Sequence, residues 1–60
     1  MNTQQCKDLI KKDLQEAAGR CNDLINELED TELIFVDKEL DRIMHYLESA
    51  KLRLKGCEDY

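Results

Sequence analysis

Histidine and cysteine, the residue types best suited to catalysis or metal binding near neutral pH, are few in this chain. His45 is the single histidine, and Cys6, Cys21 and Cys57 lie fifteen and thirty-six residues apart. These spacings fit neither a zinc site nor a disulfide framework, and no glycine-rich phosphate loop or nucleophile elbow is present. The sequence therefore predicts no metal, no cofactor and no catalytic residue, and it favours a binding protein over an enzyme.

The cysteines are interpreted as small, buried apolar residues in a reducing compartment. The amino-terminal segment lacks the apolar core of a secretion signal, and no apolar run approaches the roughly eighteen residues of a membrane span. We therefore expect a cytoplasmic protein without a membrane partner. A second interpretation concerns Cys6 and Cys57, which could form a disulfide in an oxidising environment if the two chain ends meet.

The elements that position these residues follow from the spacing of the apolar side chains. Sixty residues without proline leave room for one domain, residues 1–60, and apolar positions alternate three and four residues apart in both halves. This alternation is typical of helices that pack lengthwise against each other. The stripe consists of Ile10, Leu14, Ala17, Cys21, Leu24 and Leu28, followed by Leu33, Val36, Leu40, Ile43, Leu47, Ala50, Leu54 and Cys57.

The pattern predicts an all-α chain with helices near residues 3–29 and 31–56. A short polar turn between them makes the two helices antiparallel neighbours in a hairpin. Thr3 is a candidate cap at the start of the first helix. Asp30 or Thr31 can cap the second helix, and Gly56 can end it.

Folding the chain about this turn pairs apolar residues whose numbers sum to 60 or 61, such as Leu14 with Leu47. Small residues then face large ones, as in the interdigitated layers of helical bundles. The same arrangement brings Arg20 close to Glu39, where an exposed ion pair contributes little to stability. Gly19 falls on the outer face of the first helix.

The apolar side chains beside the stripe widen the apolar face that a single hairpin would expose to water. Ala18, Ile25 and Met44 occupy these flanking positions. A face this wide is typical of a helix in a larger bundle, so we expect it to be covered. A second copy, giving a two-fold symmetric four-helix bundle, is the preferred covering, and a different protein or a monomer are the alternatives.

Residues 23–41, here called the acidic tip, contain the turn and the most unusual apolar residues. They carry eight acidic residues against the single base Lys38, a net charge of −7, while the rest of the chain sums to +2. Ile34 and Phe35 lie off the stripe and would meet water in a continuous helix. They could instead pack inside a dimer, or the segment could be extended, with the second helix beginning at Asp37.

The functional interpretation of the acidic tip is a docking surface for another protein. Ile34 and Phe35 would anchor the partner, and carboxylates would steer it toward a basic surface. The steering residues are Glu29, Asp30, Glu32 and Asp37. Nucleic acid is not the expected partner, because the net charge is −5 and no aromatic row accompanies the basic residues at the open end of the hairpin.

One segment resembles a known family. Residues 28–44 look like the signature half of the small sporulation-regulator aspartyl-phosphate phosphatases, two-helix hairpins with the signature Ser-Gln-Glu-Leu-Asp. The Glu-Leu-Asp sequence at 39–41 matches the last three positions, and two aliphatic residues follow soon after, as in that family. The serine and glutamine are missing. The resemblance implies dephosphorylation of a response regulator, with Glu39 and Asp41 carrying the role of the motif.

The outline of the chain is also similar to the repressor-of-primer family of plasmid copy-number proteins. Two equal helices, a short acidic turn, and cysteine and alanine in the apolar stripe are common to both. This similarity implies a dimeric four-helix bundle that binds paired RNA hairpins, although the first helix here lacks the expected outer aromatic residue. The residues themselves favour a small acidic regulator, inhibitor or adaptor, of the kind that phages and other mobile elements often encode.

Overall fold

The computed structural model describes residues 2–58 as two antiparallel helices, α1 over Thr3–Glu27 and α2 over Leu33–Arg53. A three-residue 3₁₀ turn follows each helix, at Leu28–Asp30 and Leu54–Gly56. The Cα atoms extend over 44 × 16 × 10 Å, which is the shape of a thin, elongated hairpin. The predicted all-α hairpin is confirmed. α1 ends two residues before the predicted end at residue 29, and α2 begins two residues after and ends three residues before the predicted bounds of 31 and 56.

α1 begins with a capping box built by Asn2 and Gln5. The Asn2 Oδ1 atom accepts a hydrogen bond from the Gln5 backbone N–H at 2.8 Å, and the Gln5 Oε1 atom accepts one from the Asn2 N–H at 3.2 Å. Two backbone donors at the helix start are thereby satisfied. The prediction of Thr3 as the cap is wrong by one residue, because Asn2 supplies the acceptor and Thr3 is already helical.

The turn between the helices is closed by Thr31. Its hydroxyl donates to the Glu27 carbonyl oxygen at 2.6 Å, and its backbone N–H donates to the Leu28 carbonyl oxygen at 3.2 Å. Because Thr31 satisfies carbonyls at the end of α1, it does not cap α2. The residue at the cap position is Glu32, whose side chain makes no capping hydrogen bond, so the prediction of Asp30 or Thr31 as the cap is wrong.

The segment that begins α2 is helical from Leu33 onward. The backbone N–H groups of Phe35 and Val36 both donate to the Glu32 carbonyl oxygen, at 3.0 and 3.1 Å. These bonds form the first turn of the helix. The alternative of an extended segment with a helix start at Asp37 is therefore wrong.

The open end of the hairpin is closed by a disulfide between Cys6 and Cys57, whose Cα atoms lie 5.9 Å apart. The chain reaches this position because α2 ends in a 3₁₀ turn, where the Cys57 N–H donates to the Leu54 carbonyl oxygen at 3.1 Å. Gly56 is the last residue of that turn, whereas the C-cap of α2 is Leu54 and no described residue has a positive φ, so the prediction of Gly56 as the cap is wrong.

Few side chains are buried between the helices. Ala17, Ile43 and Ala50 belong to the predicted stripe and are buried, which confirms that part of it. Two of these three are alanines, which leaves a thin apolar core, and none of the described residues is a large side chain with less than 2% exposure. A single chain therefore gains little from burial of apolar surface.

Five leucines of the predicted stripe are exposed, and the stripe residues that are neither buried nor exposed are half-buried. The five leucines are between 46% and 84% exposed, and their predicted burial is wrong; they are Leu14, Leu28, Leu33, Leu40 and Leu47. Beside the buried stripe residues, the helices also contact each other through polar residues one position before the leucines, such as Asp13 before Leu14. A stripe two columns wide cannot be covered by one neighbouring helix, and polar contacts occupy the interface in place of the leucines.

Candidate interaction site

One side of the hairpin is held together by polar contacts. We call it the polar face; it consists of Asp13, Arg20, Glu39, Tyr46 and Arg53. Asp13 is buried at 7% exposure, and its carboxylate accepts hydrogen bonds from Arg53 Nε at 2.6 Å and Arg53 Nη2 at 3.5 Å. This fork-like pairing, more than any other interaction, lowers the pKa of Asp13 below its usual value.

The second contact of the polar face joins Arg20 to Glu39 at 3.1 Å, and this ion pair was predicted. The Arg20 guanidinium also lies 5.5 Å from the centre of the Tyr46 ring. Tyr46, followed by Glu39, raises the pKa of Arg20. The Arg20 Nε atom is buried and has no hydrogen-bond partner among the described residues.

The opposite side of the hairpin carries two columns of apolar residues with seven-residue spacing. We call it the leucine face; its columns are Leu14, Cys21 and Leu28 at the first helix, and Leu33, Leu40, Leu47 and Leu54 at the second. Cys21 and Leu54 are half-buried, and the remaining leucines are exposed. The predicted dimer residues flank these columns: Ile25 is 71% and Met44 54% exposed, and Ala18 is exposed as well.

Both columns lie on the same side of the hairpin because of helix geometry. Column residues within the helices, apart from Leu33 at the start of α2, directly follow a residue of the polar face: Leu14 follows Asp13, and Leu40 follows Glu39. One residue rotates the side-chain direction by about 100° in the same sense in every α-helix. In an antiparallel pair this rotation leads to the same side for both helices. The hairpin thus has one polar face and one apolar face.

The acidic tip exposes its apolar residues to water. Leu33 is 84%, Ile34 59% and Phe35 55% exposed, and the Lys38 ammonium lies 5.7 Å from the centre of the Phe35 ring. All four predicted steering carboxylates are exposed; they belong to Glu29, Asp30, Glu32 and Asp37. The structure therefore brings the predicted docking residues together on one end of the molecule, next to the turn.

The two carboxylates of the phosphatase-like motif have different surroundings. Glu39 is half-buried and paired with Arg20, whereas Asp41 is exposed. Asp41 lines an open cavity of about 280 Å³ together with Arg20, Arg42, His45 and Tyr46. Among residues 2–58, no three histidine, cysteine, aspartate or glutamate side chains cluster in a way that could hold a metal ion.

Most of the basic residues at the open end of the hairpin are not part of the polar face. Lys7, Lys11 and Lys51 are exposed, and Arg53 is withdrawn by its pairing with Asp13. The two ends of the hairpin therefore carry opposite charge, since the acidic tip has a net charge of −7 and the rest of the chain +2.

Of the two ion pairs of the polar face, Arg20–Glu39 was predicted from the sequence and Asp13–Arg53 was not. A signal was present: Asp13 and Arg20 lie seven residues apart, and Glu39, Tyr46 and Arg53 continue with the same spacing. Residues of opposite charge that repeat every seven positions on both halves indicate a second, polar column of contacts beside the apolar one.

No protein-family model, curated protein or solved structure matches the chain. Neither helix of the described segment has the length and apolar content that crossing a membrane requires.

Proposed function

We propose that this chain is a small protein-binding regulator, an inhibitor or adaptor, that docks its acidic tip on a basic surface of another protein. The observation that carries the proposal is the run of exposed apolar residues at the start of α2, where Ile34 is 59% and Phe35 55% exposed. Apolar side chains of this size are costly to leave in water, and they supply most of the binding energy when an interface covers them.

The charges around these residues support a basic partner. Residues 23–41 hold eight acidic residues and one base. Complementary charge accelerates the encounter of two proteins and excludes partners of the same sign. The exposed carboxylates of Glu29, Asp30, Glu32 and Asp37 would therefore steer the partner, and the apolar residues would hold it.

The proposal is tested by affinity capture from the native host with three immobilised proteins: the wild type, Ile34→Ser/Phe35→Ser, and Leu52→Ser. Leu52 is a matched control because it is 61% exposed on α2, far along the chain from the turn. We expect the wild type and the control to retain the same protein, and the tip variant to lose it with unchanged helicity by circular dichroism. Equal capture by all three would remove the tip as the docking site.

The proposal includes a homodimer, in which a second copy covers the leucine face. The exposed flanking residues Ala18, Ile25 and Met44 support it, as does the thin apolar core of the single chain. A cytoplasmic location remains a prediction; in that compartment the Cys6–Cys57 pair would be held largely as thiols.

A second candidate function is the aspartyl-phosphate phosphatase-like activity that the Glu-Leu-Asp sequence implies. It is favoured by the exposure of Asp41 beside the cavity that Arg42 and His45 line. Asp41→Ala should abolish loss of phosphate from a phosphorylated receiver domain. Asp37→Ala, a matched exposed carboxylate one turn earlier, should retain it. If the receiver domain loses phosphate at the same rate with and without the wild-type protein, this function is excluded.

A further inference from the structure

We infer that a second copy of the chain covers the leucine face with its acidic tip at the opposite end, so that each α2 packs antiparallel to the α2 of the other copy. The inference rests on the proposed homodimer and adds which face is covered and how the two copies are oriented.

The first argument is the amount of surface. The chain exposes 4950 Å², whereas a compact monomer of its mass, 7.1 kDa, would expose about 4,100 Å². The excess, roughly 850 Å², reflects the elongated shape of the hairpin, whose thin core leaves large apolar residues in water. The leucine face is where large apolar residues are concentrated in two regular columns, so covering it removes the kind of surface that favours association.

The second argument is the symmetry of the α2 column. Leu33 and Leu54, like Leu40 and Leu47, have numbers that sum to 87, so the column reads the same in both directions about its centre. Met44 lies beside that centre. In an antiparallel α2 pair, Leu40 of one copy would meet Leu47 of the other, and the two Met44 side chains would lie near the two-fold axis.

The third argument is charge. Asp37 and Lys51 lie seven residues before and seven residues after Met44, and both are exposed. The antiparallel pair therefore brings Asp37 of each copy opposite Lys51 of the other. The two tips, each with a net charge of −7, lie at opposite ends, close to the basic open end of the second copy. The other two-fold arrangement stacks the tips on each other and concentrates like charge, which is unfavourable.

Sedimentation equilibrium of the oxidised protein tests the dimer itself. We expect a concentration-dependent dimer. A monomer at all concentrations would overturn this inference together with the homodimer, while capture of a partner by the tip would be judged independently by the Ile34 and Phe35 variant.

Cross-linking tests the orientation. In a Cys21→Ser background, Met44→Cys should give a disulfide-linked dimer on mild oxidation, because the two introduced thiols lie near the axis. Glu48→Cys in the same background is the matched control, since residue 48 is exposed on α2 but off the leucine face, and it should remain unlinked. A dimer in which Met44→Cys links no better than Glu48→Cys would overturn the orientation and leave the homodimer standing.

A charge exchange gives a second readout that does not depend on thiols. Lys51→Glu should weaken dimerisation about three- to tenfold, because two attractive pairs become repulsive. Adding Asp37→Lys should restore affinity to within about twofold of the wild type. Restoration would support the opposite-end arrangement, and equal weakening by the single and double variants would overturn it.

Discussion

The Asp13 carboxylate lies 2.6 Å from Arg53 Nε across the hairpin, in the interface between two helices that contain no fully buried large side chain among the described residues. The ion pair therefore occupies a place where a helical bundle usually has leucine. Its position on the polar face explains why Leu14, the next residue, turns toward solvent on the leucine face.

This ion pair makes stability depend on pH in a defined direction. The pKa of Asp13 is lowered in the folded chain, chiefly by the hydrogen bond from Arg53. The resulting stabilisation is fully present above the unfolded-state pKa, about 3.9, and is lost as the pH falls from there through the lower folded-state pKa. We expect Asp13→Asn to be less stable than the wild type at neutral pH, and the difference to shrink in acid.

Urea unfolding at one protein concentration, repeated over the acidic range, measures this effect. Glu48→Gln removes an exposed carboxylate of α2 and serves as the control for general charge. A gap between wild type and Asp13→Asn that stays constant on acidification would contradict the assigned role of the pair.

The disulfide should be the largest single contribution to the stability of the described chain. Cys6 and Cys57 are separated by 51 residues, and closing a loop of that length stabilises a protein by about 4 kcal/mol in the chain-entropy treatment. Cys57→Ser should lower the free energy of unfolding by roughly that amount. Adding a reductant should bring the wild type to the same value and leave the variant unchanged. Cys21→Ser, which removes the free cysteine, is the control and should remain sensitive to reductant.

Removing the capping box should lower the free energy of unfolding by less than removing the disulfide does. Asn2 is the N-cap of α1, and Asn2→Ala removes the acceptor for the Gln5 N–H. We expect thermal or urea unfolding to show a loss of about 1 kcal/mol. Gln4→Ala changes a neighbouring exposed residue without touching the cap and should have a smaller effect. An equal loss in both variants would argue against capping as the cause.

Gly19 offers a stabilising substitution. It lies inside α1, and a Cβ atom at this position would meet nothing within 4 Å. Gly19→Ala should therefore stabilise the hairpin by about 0.8–1 kcal/mol, because alanine loses less backbone freedom on forming a helix. Helicity and unfolding free energy should rise together. A fall in either would contradict the open space found around this position.

The hairpin could be predicted from the sequence because its determinants are local. The alternation of three and four residues defines both helices, and the turn falls where that alternation is interrupted between Leu28 and Leu33. Cap positions were less accessible, since Asn2 and Thr3 are both good capping residues and only the fold selects between them. The Arg20–Glu39 pair followed from the turn position alone.

The division of the apolar stripe could not be predicted in the same way. Ala17 and Leu14 fit the stripe equally well, yet the first is buried and the second is 48% exposed. Which column faces the other helix depends on long-range contacts, here Asp13 with Arg53 and Cys6 with Cys57. Tertiary contacts of this kind leave no periodic apolar pattern in the sequence. The pattern therefore identified the apolar residues of each helix but not which of them face the other helix and which face solvent.

The Cys6–Cys57 bond has a practical consequence for anything attached to this molecule. Cys6 and Cys57 lie at one extremity, where their Cα atoms are 5.9 Å apart, while the turn lies at the other extremity of a molecule 44 Å long. A fluorophore attached beside the disulfide, at the exposed Lys7, would thus report from this extremity and leave residues 28–31 unobstructed.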